Sequence, residues 1–110
     1  MKTVFSGIQP SGLVHLGNLL GAINNWVKLS EKNSKNYFCI VDLHSLTGLP
    51  NKDDLNKSIS DTLKVLIASG INLDNSVIYI QSKLQEHAYL SWILSNFCQV
   101  GELQRMTQFK

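Results

Sequence analysis

Residues 5–18 read FSGIQPSGLVHLGN. An apolar run ends here and a helical apolar period begins. The join carries three glycines, two serines, a proline, a glutamine, a histidine and an asparagine. If the run before it is a strand and the period after it a helix, this is a strand–loop–helix junction. A helix N-terminus offers unpaired backbone N–H groups and the positive end of the helix dipole, a combination suited to a phosphate. Gly17 lets a ligand come close to the backbone because no Cβ intervenes. His15 and Asn18, three apart, share a helix face, and both can donate to phosphoryl oxygens. Gln9, leaving the strand, has a donor and an acceptor for a polar substrate group.

Working outward, two further apolar runs resemble Val4–Ile8, namely Tyr37–Val41 and Val77–Ile80. All three are continuous rather than alternating, the pattern of parallel strands covered on both faces. Between them the period is helical. Leu16, Leu19, Leu20, Ile23 and Val27 mark one face, Leu55, Ile59, Leu63, Leu66 and Ile67 a second, and Leu90, Ile93, Leu94 and Phe97 a third. Asn51 is placed to cap the second helix, with Asp53 and Asp54 favourable to its dipole, and Gly70 to end it. The order β-α-β-α-β-α is that of a doubly wound parallel sheet, in which ligands bind beyond the carboxyl ends of the strands. Gln9–Asn18, Asp42–Thr47 and Gln81–Glu86 fall there.

Composition narrows the class. The 110 residues are 44% hydrophobic and 16% charged with a net charge of +2, so they suit one globular unit and make no basic nucleic-acid surface. Cys39 and Cys98 lie in apolar runs and read as buried thiols of a reducing compartment. Two cysteines and three histidines without close spacing make no zinc pattern, so no protein-held metal is expected. No run reaches the length of a membrane span, and a soluble, cytoplasmic-type protein is expected. Trp26 and Trp92 read as core or interface residues, and His87 as a surface or capping residue. Leu13 and Val14 stand where a P-loop needs Lys and Ser or Thr, and GxGxxG is absent.

With its ten preceding residues, HLGN resembles the N-terminal signature of the class I aminoacyl-tRNA synthetases, in particular their tryptophanyl branch. HLGN stands as the family's HIGH motif, with Asn18 at the last His position. YFCIVDLHSLT (37–47), YIQSKLQEHAYLSWIL (79–94) and GELQRMTQFK (101–110) match in the same order, so the resemblance spans the chain. It implies a Rossmann-like, HUP-type catalytic domain of which residues 1–110 are the N-terminal portion. It also implies ATP-dependent activation of L-tryptophan and transfer to tRNA(Trp), with Mg2+ accompanying ATP and the full-length protein a homodimer.

Residue by residue, the resemblance assigns ATP contacts to Gln9, Pro10, Ser11, Gly17 and Asn18, and charge stabilisation in the transition state to His15 and Asn18. Tryptophan contacts fall to Phe5, Gly7, His44 and Gln108. Phe5 suits an indole and equally suits strand core. Asp42 reads as a partner of the turn rather than an acid. The KMSKS loop, the acidic residue that reads the indole N–H and the anticodon-binding domain are expected beyond residue 110. So is a fourth strand beside the first, without which an edge and apolar helix faces would be exposed and the segment would self-associate. Alternatives are a tyrosyl-type enzyme, a related nucleotidyltransferase, and a nucleotide-binding fragment without turnover.

Overall fold

The computed structural model describes residues 2–10, 19–32 and 34–107, with backbone alone at 19 and 20. Strands β1 (Lys2–Ile8), β2 (Ser34–Ile40) and β3 (Ser76–Ile80) form a parallel sheet in the order β1-β2-β3. The register pairs Phe5 with Tyr37 and Gly7 with Cys39, then Tyr37 with Val77 and Cys39 with Tyr79. Helix α1 (Asn24–Ser30), entered through a π-helical turn at Leu19–Ile23, joins β1 to β2. The short α2 (Asp42–Ser45) and long α3 (Lys52–Ala68) join β2 to β3, and α4 (Gln85–Ser95) and α5 (Val100–Leu103) follow. These parallel strands alternating with helices are the half-sheet of a doubly wound α/β fold.

β2 starts three residues earlier than its apolar run because its polar residues are buried and mutually satisfied. Ser34 Oγ donates to Asn36 Oδ1 at 3.0 Å, and Asn36 Nδ2 donates to Ser76 Oγ at 3.3 Å and to the Asn75 carbonyl at 3.4 Å. Asn75 Nδ2 in turn donates to the Ser30 carbonyl at 2.7 Å. This network ties the amino ends of β2 and β3 to the end of α1. Hydrogen-bonded polar groups can occupy a buried strand at little net cost, which hydropathy alone does not register.

The boundaries of α3 follow local chemistry. Asn51 Oδ1 accepts from the Asp54 N–H at 2.8 Å, and Gly70 takes φ +86° just past the end. Leu66 is buried, and Ile59 and Leu63 pack against the core. Ile67, placed on that face by periodicity, is instead largely exposed, being about 100° around the helix from Leu66.

Crossovers that are right-handed and advance in one direction place their helices on one side of the sheet. The core lies on that side, where Ile23 and Trp26 of the α1 segment and Leu66 of α3 meet Ile8, Phe38 and Ile40. Trp26 stacks on Phe38 with ring centroids 4.4 Å apart and planes 6° from parallel. The expectation of a sheet covered on both faces is therefore met on one. On the other, Phe5 is 63% exposed and Val77 52%. The third apolar helix face is exposed as well: α4 buries no residue, and Trp92 is 70% exposed. Cys39 is buried, but Cys98 is exposed because the segment after α4 has no layer packed upon it. β1 and β3 are both edges among the described residues.

Candidate functional site

The three strand exits lie side by side at the carboxyl end of the sheet. Beyond β1 come Gln9, exposed, and Pro10, buried. Both line a cavity of about 540 Å³ with Ser45, Pro50 and the first turns of α3 at Asp54 and Leu55. Ser45 Oγ is buried there without a hydrogen-bond partner among the described residues. Ser11, His15, Gly17 and Asn18, the rest of the expected phosphate turn, lie outside the described residues, as does Gln108.

A second cavity, about 500 Å³, opens on the uncovered face of the sheet. Strand alternation puts Phe5, Tyr37, Val77 and Tyr79 on its floor, and Ile80 and His87 line its end toward the strand exits. Gly7 lies on the same face of β1. A Cβ there would stand 2.9 Å from Val41 Cγ1, so the close approach of Val41 requires glycine at this point.

A third cavity, also about 500 Å³, is lined by Leu43, His44, Thr47, Gln81, His87 and Trp92. His44 and Phe5 therefore line different cavities, and these share His87. His87, a surface or capping residue by its place in the sequence, is instead half-buried and packs edge-on against Tyr79, with centroids 5.9 Å apart. Its Nε2 lies 3.5 Å from Tyr79 Oη, the outer limit of a hydrogen bond. The signal available in sequence was alternation, which puts Tyr79 on the face of Phe5 and the start of α4 beside it.

Asp42 is buried, and its Oδ1 accepts from the Leu43 N–H at 3.0 Å and from the Ser82 N–H at 2.9 Å. It thus partners two turns, in keeping with its reading as a structural rather than acid group. Beneath the open face, burial pushes the Cys39 thiol above its ordinary value, against the lowering effect of its hydrogen bond with Tyr79. Burial, reinforced by that hydrogen bond, pushes the Tyr79 phenol up to about 12. Both groups keep their protons at neutral pH, so Tyr79 is neutral on the cavity floor, and the charged residue lining the cavity is Lys83. Among the described residues no three His, Cys, Asp or Glu side chains gather as metal ligands, and no helix is long and apolar enough to cross a membrane.

The model of the family "tRNA synthetases class I (W and Y)" matches residues 1–110. The chain is 51% identical over 110 residues to the tryptophan–tRNA ligase of Oceanobacillus iheyensis, covering all of this chain and 33% of that relative. It is 47% identical to the tryptophan–tRNA ligase of Rickettsia typhi, covering 99% and 33%. Its fold superposes with a TM-score of 0.89 on the crystal structure of the tryptophanyl-tRNA synthetase of Mycoplasma pneumoniae, at 36% identity, covering 99% of this chain and 32% of that one. The chain spans about a third of the length of the curated relatives it matches.

Proposed function

This chain belongs to the class I tRNA synthetases of the tryptophan and tyrosine group, and from that premise we propose that it carries the ATP-contacting half and part of the amino-acid pocket of an enzyme that activates L-tryptophan. A carboxylate oxygen of tryptophan attacks the α-phosphorus of ATP, the bond to pyrophosphate breaks, and tryptophanyl-adenylate results. The adenylate then passes its tryptophanyl group to tRNA(Trp). The setting is the cytoplasm, with the full-length protein a homodimer.

The observation that supports this reading is the arrangement along β1. Phe5 faces a cavity floored by Tyr37 and Tyr79, and Gln9 and Pro10 stand at the exit of the same strand. Four residues of strand are about 13 Å, so the aromatic pocket lies next to the strand exit at which the proposed phosphate turn begins. A floor of Phe5, Tyr37, Val77 and Tyr79 suits an indole better than a charged side chain.

In this reading Gln9, Pro10, Ser11, Gly17 and Asn18 hold ATP, and His15 and Asn18 donate to the phosphates as charge develops in the transition state. Phe5 and Gly7 shape the indole pocket, and His44 and Gln108 address the polar end of tryptophan. Displacement at phosphorus depends on positioning and charge stabilisation more than on covalent help, which fits a site of neutral donors and close backbone. Mg2+ accompanying ATP would supply neutralisation of the phosphate charge.

The test is exchange of labelled pyrophosphate into ATP by the full-length protein, with tryptophan or tyrosine supplied. Exchange with tryptophan alone is expected. Exchange with tyrosine alone would move the protein to the other branch, and exchange with neither would leave a nucleotide-binding protein without this activity.

A further inference from the structure

Asp42 does more than close its own turn. Its Oδ1 accepts one N–H from the exit of β2, at Leu43, and another from the exit of β3, at Ser82, forty residues later in the chain. The two bonds, 3.0 and 2.9 Å, are charge-assisted and made by a buried carboxylate. Each arm of this clamp carries a polar side chain next to the bonded residue, His44 on one and Gln81 on the other. Both line the same cavity, together with His87. Gln81 Oε1 is buried in that wall with no hydrogen-bond partner among the described residues. The β2–β3 ladder ends at Ile40 and Ile80, and beyond it this carboxylate oxygen ties the segments that carry the two side chains.

We propose that Asp42 is a positioning residue of the amino-acid site: by clamping the β2 and β3 exits together it holds His44 and Gln81 at the separation that tryptophan binding requires. This rests on the functional reading above and adds a residue to it. Asp42 does not touch substrate. It acts through His44 and Gln81, so its removal weakens tryptophan binding without touching the phosphate turn beyond β1.

The test compares Asp42→Ala, Asp42→Asn, His44→Ala and the double variant Asp42→Ala/His44→Ala in the full-length protein. Pyrophosphate exchange gives KM for tryptophan and for ATP separately. Asp42→Ala is expected to raise KM for tryptophan about 10- to 100-fold, as misplacement of binding groups by about 1 Å does. KM for ATP should stay within about twofold, and His44→Ala should add little in the Asp42→Ala background, as expected for residues acting as one unit. Asp42→Asn restores most of the tryptophan affinity, since its amide oxygen can accept the same two N–H bonds. Equal losses for both substrates, full additivity with His44→Ala, or an Asp42→Asn enzyme as impaired as Asp42→Ala would each overturn the proposal. Should Asp42→Ala fail to fold, Asp42→Ser, whose shorter side chain cannot bridge both N–H groups, takes its place in every comparison.

Amide hydrogen exchange separates this proposal from the functional reading. In Asp42→Ala the Leu43 and Ser82 amides should lose protection together, while the Phe38 amide in the middle strand keeps it. Protection retained at Ser82 would dissolve the clamp whatever the enzyme does. Absence of tryptophan-dependent exchange in the unaltered protein would instead overturn the functional reading and leave the clamp to be judged by the amides.

Discussion

The two faces of the one sheet invert the usual association of apolar with inside. The covered face buries Phe38 and Ile40 but also Ser34, Asn36 and Ser76, whose polar groups bond to each other and to Asn75. The open face presents Phe5, Tyr37 and Val77 to solvent. What separates the faces is not residue type but where the crossovers go. A sheet whose order runs β1-β2-β3 sends both connecting helices to one side. The large apolar groups left on the other side form the walls of a cavity rather than a core. Burial is thus decided by topology first and hydropathy second.

The most demanding test of this contrast uses two phenylalanines of one sheet. Phe38→Ala deletes a fully buried ring stacked on Trp26 and should destabilise the protein by about 3–5 kcal/mol in urea unfolding. Phe5→Ala, on the open face, should change stability by no more than about 0.5 kcal/mol, as surface substitutions do. Its effect should fall on tryptophan-dependent exchange instead. A large stability loss for Phe5→Ala would mean that the open face is a packed face in the working protein.

Next in size is the polar side of the covered face. Asn36→Ala removes a donor to Ser76 and an acceptor from Ser34, and should cost about 1–3 kcal/mol by leaving buried partners unsatisfied. The same melts read it. A neutral result would show that water reaches the amino ends of β2 and β3, and that the covered face is closed only around Phe38.

Much of this was legible in sequence, for identifiable reasons. Strand identity and parallel pairing came from the continuous apolar runs, and the ends of α3 from Asn51 and Gly70, where a single side chain or a single dihedral decides. Of the phosphate turn expected in FSGIQPSGLVHLGN, Gln9 and Pro10 stand beside a cavity and the remainder lies outside the described residues. The start of β2 was not legible, because buried Ser34 and Asn36 look like loop until their partners forty residues away are known. Nor was the open face, since hydropathy says that Phe5 is apolar and nothing about which side a crossover takes. His87 meets Tyr79 eight residues away, a contact that alternation along β3 could have suggested, whereas the reach of Asp42 to Ser82 spans forty residues with no local spacing to announce it.

A smaller effect belongs to the helix that makes the covered face. Asn51 Oδ1 satisfies the Asp54 N–H at the start of α3, and Asn51→Ala should lower stability by about 1 kcal/mol. Because α3 carries Leu66 into the core, the loss should appear in global unfolding by circular dichroism rather than as local fraying. Fraying confined to residues 52–55 in amide exchange would mean that the core holds α3 without its cap.

The smallest expected effect is on the open face and runs with pH. Tyr79 has its ordinary value of 10.0 raised to about 12, mainly by burial and then by its hydrogen bond with Cys39. In the unfolded chain the phenol ionises near 10, whereas in the folded protein it keeps its proton to about 12. Between those values the unfolded state has lost a proton that the folded state retains, so rising pH favours unfolding. The contribution is fully present below pH 10 and is lost as pH climbs toward 12. Cys39, also raised above its ordinary 9.0, acts in the same direction from a lower starting point. Tyr79 is only half-buried, so solvent screens the effect and keeps it modest. Urea unfolding measured from pH 8 to pH 11.5 should show this alkaline decline, and Tyr79→Phe should flatten its upper part. If the decline is the same with phenylalanine at that position, solvent reaches the floor of the open face freely, and the two faces differ less in polarity than their topology implies.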